Sequence, residues 1–334
     1  MKIRRSYCAL PFSSHSSRVA LLRCLSFLLL LCLSPFGCKA PAAVNVNRPS
    51  SGVDAVAAFP RTVTDDAGRS VVISKSPQRI VSLAASNTEI LYALGLGSRI
   101  VAVDQYSDYP PEAKQKPRIG GFANPDIEQI AAGTPDLILA TGIHAKSVVP
   151  NLETHGLPVL VVEPKTLEDV LGRILLIGQV TGEEAKAHAL AQQLRARMDE
   201  VTARVNGASR PRVFFEISTE LYTAGPGSFI DDMITHAGGQ NIAADAAKPW
   251  PQLSQESVLL KDPEVILLGN ATGAETIDKV RVRPGWRDIV AVKNGRIIAI
   301  DADLTHRPGP RIFGGLEAIA RALHPDRFEK APIR

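Results

Sequence analysis

The chain has 334 residues, of which 45% are hydrophobic and 22% charged, enough to bury a large core and too many for one average domain. Its formal charge of +4 is concentrated at the start: residues 1–37 hold five cations and no acid, so the remainder carries about −1. With no basic face and no interleaving of aromatic and basic residues left, a nucleic-acid partner is excluded as the leading expectation.

Lys2, Arg4, Arg5, Arg18 and Arg23 precede an uncharged apolar run from Leu25 to Leu33, the order of a signal peptide spanning residues 1–37. The run is too short to stay in a bilayer as a spanning helix. It leads into Ser34-Pro35-Phe36-Gly37-Cys38, where a small residue before a cysteine resembles a lipoprotein cleavage box and marks Cys38 for lipidation. All four cysteines (Cys8, Cys24, Cys32 and Cys38) lie in this region, so no disulfide framework supports the fold and the core must do so alone. Residues 38–60, rich in Ala, Pro, Asn, Ser and Val, read as a flexible tether. Leader, cysteine and tether together predict a periplasmic protein held to a membrane by lipid.

Residues 61–182 read as an N-terminal α/β lobe. It opens with a β-hairpin around Asp65-Asp66-Ala67-Gly68, followed by β-branched runs at Arg79 to Leu83, Arg99 to Asp104, Asp136 to Ala140 and Pro158 to Val162 that alternate with helical stretches. Residues 207–334 repeat the pattern as a C-terminal α/β lobe, with runs at Arg212 to Ile217, Asn241 to Ala244, Glu264 to Leu268 and Arg296 to Ile300. Alternation of this kind predicts two doubly wound parallel sheets. The lobes also echo each other in sequence. Ile127-Glu128-Gln129-Ile130 leads to Pro135-Asp136-Leu137, and Gln255-Glu256-Ser257-Val258 leads to Pro263-Glu264-Val265, at a constant offset of 128.

Between the lobes, residues 183–206 contain no Gly or Pro and space Leu190, Leu194, Met198, Val201 and Val205 by three and four, which predicts one linker helix roughly 36 Å long. As the only connector it would be a stiff spine, allowing small rocking of the lobes about a ligand cleft between them.

At this point the residues resemble a known family, the helical-backbone class of ABC importer binding proteins, whose members take cobalamin, ferric siderophores or haem. The resemblance runs from the hairpin to the last helix. It is strongest to the cobalamin binders at Tyr106-Ser107-Asp108-Tyr109-Pro110, Pro249-Trp250-Pro251-Gln252 with Ser254, and Asp303-Leu304-Thr305-His306-Arg307 ahead of Pro310-Arg311-Ile312. It implies that Tyr106, Tyr222 and Trp250 line the cleft with aromatic faces, that Phe122 stands where a tryptophan is usual, and that Asp303 and Arg307 meet polar groups on the ligand's rim. It further implies a monomer that delivers a corrinoid to a permease dimer with its ATPase subunits, Glu128 and Glu256 docking onto the permease. Cobalamin would be cargo, with no resident cofactor, metal or catalytic residue. A corrin ring, broad, mostly apolar and fringed with amides, suits a few aromatic walls with a few placed polar groups.

The residues also bear on two other classes of protein. An enzyme finds no support: no Gly-x-Ser-x-Gly elbow or phosphate loop occurs, and Gly95-Leu96-Gly97 and Gly238-Gly239 follow helices as C-caps. A metal-ion binder would need closely spaced ligands, and the histidines after the leader are scattered; only His144 and His306 fall after strands, where an imidazole could face a cleft. A ferric siderophore or haem on the same scaffold is the remaining alternative. Many ferric siderophores are anionic and would call for more cations than Arg307.

Overall fold

Arg61–Thr64 (β1) and Ser70–Ile73 (β2) alternate inward and outward side chains and pair antiparallel, Arg61 opposite Ile73. The Asp65 carboxylate closes their turn by accepting the N–H groups of Ala67 (3.0 Å) and Arg69 (2.9 Å), and it also accepts that of Val161 (3.1 Å), tying the hairpin to the first lobe. The computed structural model describes residues 58–269 and 277–328. The leader, Cys38 and the tether up to residue 57 lie outside the described residues.

The first lobe is built on a parallel sheet of Ile80–Ser82 (β3), Ile100–Val103 (β4), Leu137–Ala140 (β5) and Val159–Val161 (β6), in the order β4-β3-β5-β6. The second sheet holds Arg212–Glu216 (β7), Gln240–Asn241 (β8), Val265–Leu268 (β9) and Ile297–Ala299 (β10), in the order β10-β9-β7-β8. Counted within each lobe, both sheets read second, first, third, fourth. The two α/β lobes therefore share one doubly wound topology. Central strands β5 and β9 are apolar and buried throughout, as strands covered by helices on both faces must be. Accordingly each sheet has a private core on one face, with Ile138 in the first lobe and Ile266 in the second, while the other faces merge into one core shared with the helices between them.

One expected strand is shorter than its residues indicated. Pairing of β8 ends at Asn241, whose side chain donates to the Ala224 carbonyl and to Asp231 (both 2.7 Å) and accepts the N–H of Ala243 (3.0 Å), turning the chain out of the sheet.

The helix between the lobes is Glu184–Val205, 22 residues or roughly 33 Å at 1.5 Å each. It buries Ala187, Ala191, Leu194, Met198, Val201 and Val205 along one stripe. Helix Leu167–Thr181 runs beside it at close range because Gly178 faces Ala187: a Cβ on Gly178 would stand 2.3 Å from that of Ala187. Beside this helical connector, non-covalent contacts also join the lobes. The N–H of Leu167 donates to Asp232 of helix Phe229–His236 (2.7 Å), and Glu89 of helix Ala85–Ala93 pairs with Arg311.

Candidate ligand-binding site

A cavity of about 590 Å³ lies between the lobes, lined by residues that follow the C-terminal ends of β3 to β7 and by three segments of the second lobe. Doubly wound sheets place their ligand crevices outside these strand ends, where neighbouring connections diverge to opposite faces.

On the first-lobe wall, β4 ends at Val103 and the next residue, Asp104, is wholly buried beside the cavity. Its carboxylate accepts the Ser107 hydroxyl (2.5 Å) and the Tyr106 N–H (3.2 Å), and Arg118 donates to the carbonyls of Asp104 (2.8 Å) and Ser107 (2.7 Å). Burial pushes the Asp104 carboxyl above its ordinary range, against these donors. The cross-braced loop presents Tyr106, 53% exposed, to the cavity.

Phe122 is held from behind. His144 accepts the Thr141 N–H at Nδ1 (3.0 Å) and donates from Nε2 to the Phe122 carbonyl (2.5 Å), a tautomer assigned by those two partners. The rings of Phe122 and His144 meet edge to face, 5.4 Å between centroids. Burial lowers the His144 pKa, as suits an imidazole that must stay neutral to accept at Nδ1. His144 is thus a prop for Phe122, with both ring nitrogens occupied by the protein.

Opposite, Trp250 stands 42% exposed between Pro249 and Pro251 and leans edge-on against Phe229, 5.4 Å between centroids. Its loop is clamped by Gly225 N–H to the Pro249 carbonyl (2.8 Å) and Thr223 N–H to the Pro251 carbonyl (2.9 Å). Only glycine fits at 225, since a Cβ there would come within 2.6 Å of the Lys248 carbonyl oxygen.

Arg307 is the cation of the cavity wall, and it is already surrounded. It reaches Asp108 of the first lobe at 2.5 Å, Asp303 at 2.8 Å and Glu89 at 3.8 Å, with its side chain only 16% exposed. Partial burial works the other way, but the hydrogen bond and charge of Arg307 hold the Asp108 carboxyl below its ordinary range.

Of the six residues expected at the ligand, Tyr106, Phe122, Trp250 and Arg307 line this cavity, and two do not. Asp303 is turned to Arg307. Tyr222 pairs its backbone with Gln252 in an isolated bridge, its carbonyl accepting the Ile217 N–H (2.8 Å), and it is not among the residues lining the cavity. Residues not singled out from sequence also line it, notably Ile143, Glu163 and Phe229. Ile143 and Glu163 sit just past β5 and β6, a position that could have marked them. His306 lines the cavity as well, with Nδ1 against the Ala302 carbonyl (3.2 Å), and burial lowers its pKa. Among the described residues no group of three His, Cys, Asp or Glu is placed to hold a metal ion. Glu128 and Glu256 lie outside the cleft, exposed in the first turns of helices Ile127–Ala132 and Gln255–Lys261.

Two lobes of one topology around an aromatic cavity have the form of a protein that captures a ligand between them. Comparison with known proteins agrees: the periplasmic binding protein family model matches residues 80–304, and the chain belongs to that family of binding proteins. It is 33% identical over 315 residues to an uncharacterised ABC transporter substrate-binding lipoprotein of Bacillus subtilis, covering 91% of this chain and 97% of the relative. Among solved structures, the periplasmic vitamin B12-binding protein of Vibrio cholerae superposes with TM-score 0.66 at 30% identity, over 76% of this chain and 99% of that one. The periplasmic haem-binding protein of a Roseiflexus species does so with the same score and identity, over 75% and 99%.

Proposed function

We propose that the protein captures cobalamin or a related corrinoid outside the cytoplasmic membrane and delivers it, as a lipid-tethered monomer, to the permease dimer of an ABC importer driven by its ATPase subunits. Its likeness to the solved vitamin B12 binder and to the solved haem binder is equal in score and identity, so the structural likeness leaves the ligand to be argued from the cavity. The observation that carries the reading is the state of Arg307. Three carboxylates already share its charge, leaving among the described residues no spare cation on the wall to receive a carboxylate or a hydroxamate anion. The remaining surface, with Tyr106, Phe122, Ile143, Phe229 and Trp250, suits an apolar disc of no net charge whose rim carries amides.

Haem or a ferric siderophore is the second reading, favoured by the Roseiflexus likeness. Calorimetric titration of the domain after Cys38 with cyanocobalamin, haemin and a ferric hydroxamate in parallel separates them. Tight one-to-one binding of cyanocobalamin, weakened in Trp250→Ala, supports the corrinoid. Heat from haemin or the hydroxamate alone transfers the assignment to that ligand.

A further inference from the structure

Glu163 follows β6 at the C-terminal edge of the first sheet and lines the cavity. Its Oε2 accepts the N–H of Gly142 (2.7 Å), the residue that opens the turn Gly142–His144. That turn carries Ile143 into the cavity and His144 behind Phe122. The carboxylate therefore holds one wall of the site in shape. It is also charged, and among the described residues no cation lies within ion-pair distance of it. The nearby cation on its own side, Arg173, is paired with Asp66 (3.2 Å), whose carboxylate also accepts the Glu163 N–H (2.6 Å). Across the cleft, Arg307 is taken by Asp108, Asp303 and Glu89. Among the described residues the balance of charge around the cavity is negative; Asp104 is buried among its hydrogen-bond donors, whereas Glu163 is exposed to the cavity without an ion-pair partner.

We infer that Glu163 sets the charge selectivity of the cavity, accepting N–H donors of a neutral or cationic ligand and repelling ligands that carry carboxylates. This deepens the function proposed above and rests on that cavity being the ligand site. The chemical class follows: side-chain amides or a cationic metal complex at the first-lobe wall are favoured, and a porphyrin with two propionates is disfavoured. A carboxylate within several ångströms of a ligand charge, partly screened by water, shifts affinity by between about fivefold and thirtyfold.

The test uses Glu163→Gln, whose amide oxygen still accepts the Gly142 N–H, beside Glu163→Ala, which removes that acceptor too. The probes are cyanocobalamin (neutral), aquacobalamin (cationic) and haemin (anionic), titrated at low and high salt. In Glu163→Gln, the haemin affinity rises relative to cyanocobalamin by about fivefold to thirtyfold, the aquacobalamin affinity falls by a similar factor, and both changes shrink with salt. If Gln leaves all three ratios unchanged and only Ala weakens binding, Glu163 merely supports the wall and the inference is overturned. The corrinoid reading fails separately: wild-type protein that takes haemin and neither cobalamin removes that reading, while the haemin ratio between wild type and Glu163→Gln still decides the role of Glu163. Binding of none of the three overturns both.

Discussion

Glu89 and Arg311 clasp the two lobes together through a two-pronged ion pair, Nε to one carboxylate oxygen at 3.0 Å and Nη2 to the other at 2.6 Å. Glu89 is 2% exposed on helix Ala85–Ala93 of the first lobe, and Arg311 begins helix Ile312–Leu323 of the second, its guanidinium 4.0 Å above the Tyr109 ring. Burial pushes the Glu89 carboxyl above its ordinary range even though Arg311 and Arg307 pull it down. A cation removed here strands a buried carboxylate, which costs more than the pair itself contributes.

Arg311→Met should therefore lower the unfolding free energy by about 2–4 kcal/mol, read by urea denaturation. The double variant Glu89→Gln/Arg311→Met should recover most of that loss, because an amide is far cheaper to bury than an unpaired charge. An Arg311→Met protein as stable as wild type would show that the clasp is not what holds the lobes.

Acid should loosen the first-lobe wall. Burial places the folded-state pKa of both His144 and His306 below the ordinary 6.5, so the unfolded chain takes up protons first as pH falls. The stability these groups contribute is complete above 6.5 and is lost as pH drops through their lowered values. Protonated His144 can no longer accept the Thr141 N–H, and the support of Phe122 goes with it. Thermal unfolding and ligand titration at steps from pH 7.5 to 5 should show both quantities falling together. In His144→Asn the slope should flatten for affinity more than for stability, since His306 still titrates. An unchanged affinity slope would remove His144 from the support of the site.

The two tyrosines and Trp250 should separate sharply. Trp250 lines the cavity and Tyr222 does not. Trp250→Ala should weaken ligand binding by about tenfold to a hundredfold, the loss of a large aromatic contact, and Tyr106→Ala by somewhat less. Tyr222→Ala should change it by less than about threefold. Calorimetry on the three variants decides the matter, and a larger loss at Tyr222 than at Trp250 would mean the ligand extends beyond the cavity wall.

Local order was readable in the residues where it depends on neighbours. The offset of 128 reports one loop built twice. Thr134 (φ 43°) and Asp262 (φ 41°) both leave their helices left-handed, and Arg79 and Arg212 both donate to the carbonyls there. Asp136 and Glu264, each after a proline, accept the N–H of those same arginines at 2.7 and 2.9 Å. What escaped was set by distance along the chain. Arg307 and Asp108 are 199 residues apart, Arg311 and Glu89 are 222, and no spacing rule links such partners. The pairing of Asp303 with Arg307 and the place of Glu163 on the wall follow from the assembled lobes, since a single carboxylate after a strand has no pattern of its own.

The duplicated topology bears most directly on docking. Glu128 and Glu256 occupy the same post, the second residue of the helix before the third strand of each lobe, under N-caps Asp126 and Ser254 that accept the N–H groups of Gln129 (3.0 Å) and Ser257 (3.1 Å). Carboxylates there complement their own helix dipoles whether or not a partner exists. A partner with two equivalent arginine sites would read the pair as a unit. Reversing one charge should then weaken uptake in part, and Glu128→Lys/Glu256→Lys should abolish it, with ligand affinity unchanged because neither residue reaches the cavity. Transport of radiolabelled cyanocobalamin into cells, measured beside calorimetry and urea denaturation on each variant, distinguishes the cases. Full uptake by the double variant with only a small loss of stability would leave both glutamates as helix-dipole partners and place permease recognition on other surfaces of the lobes.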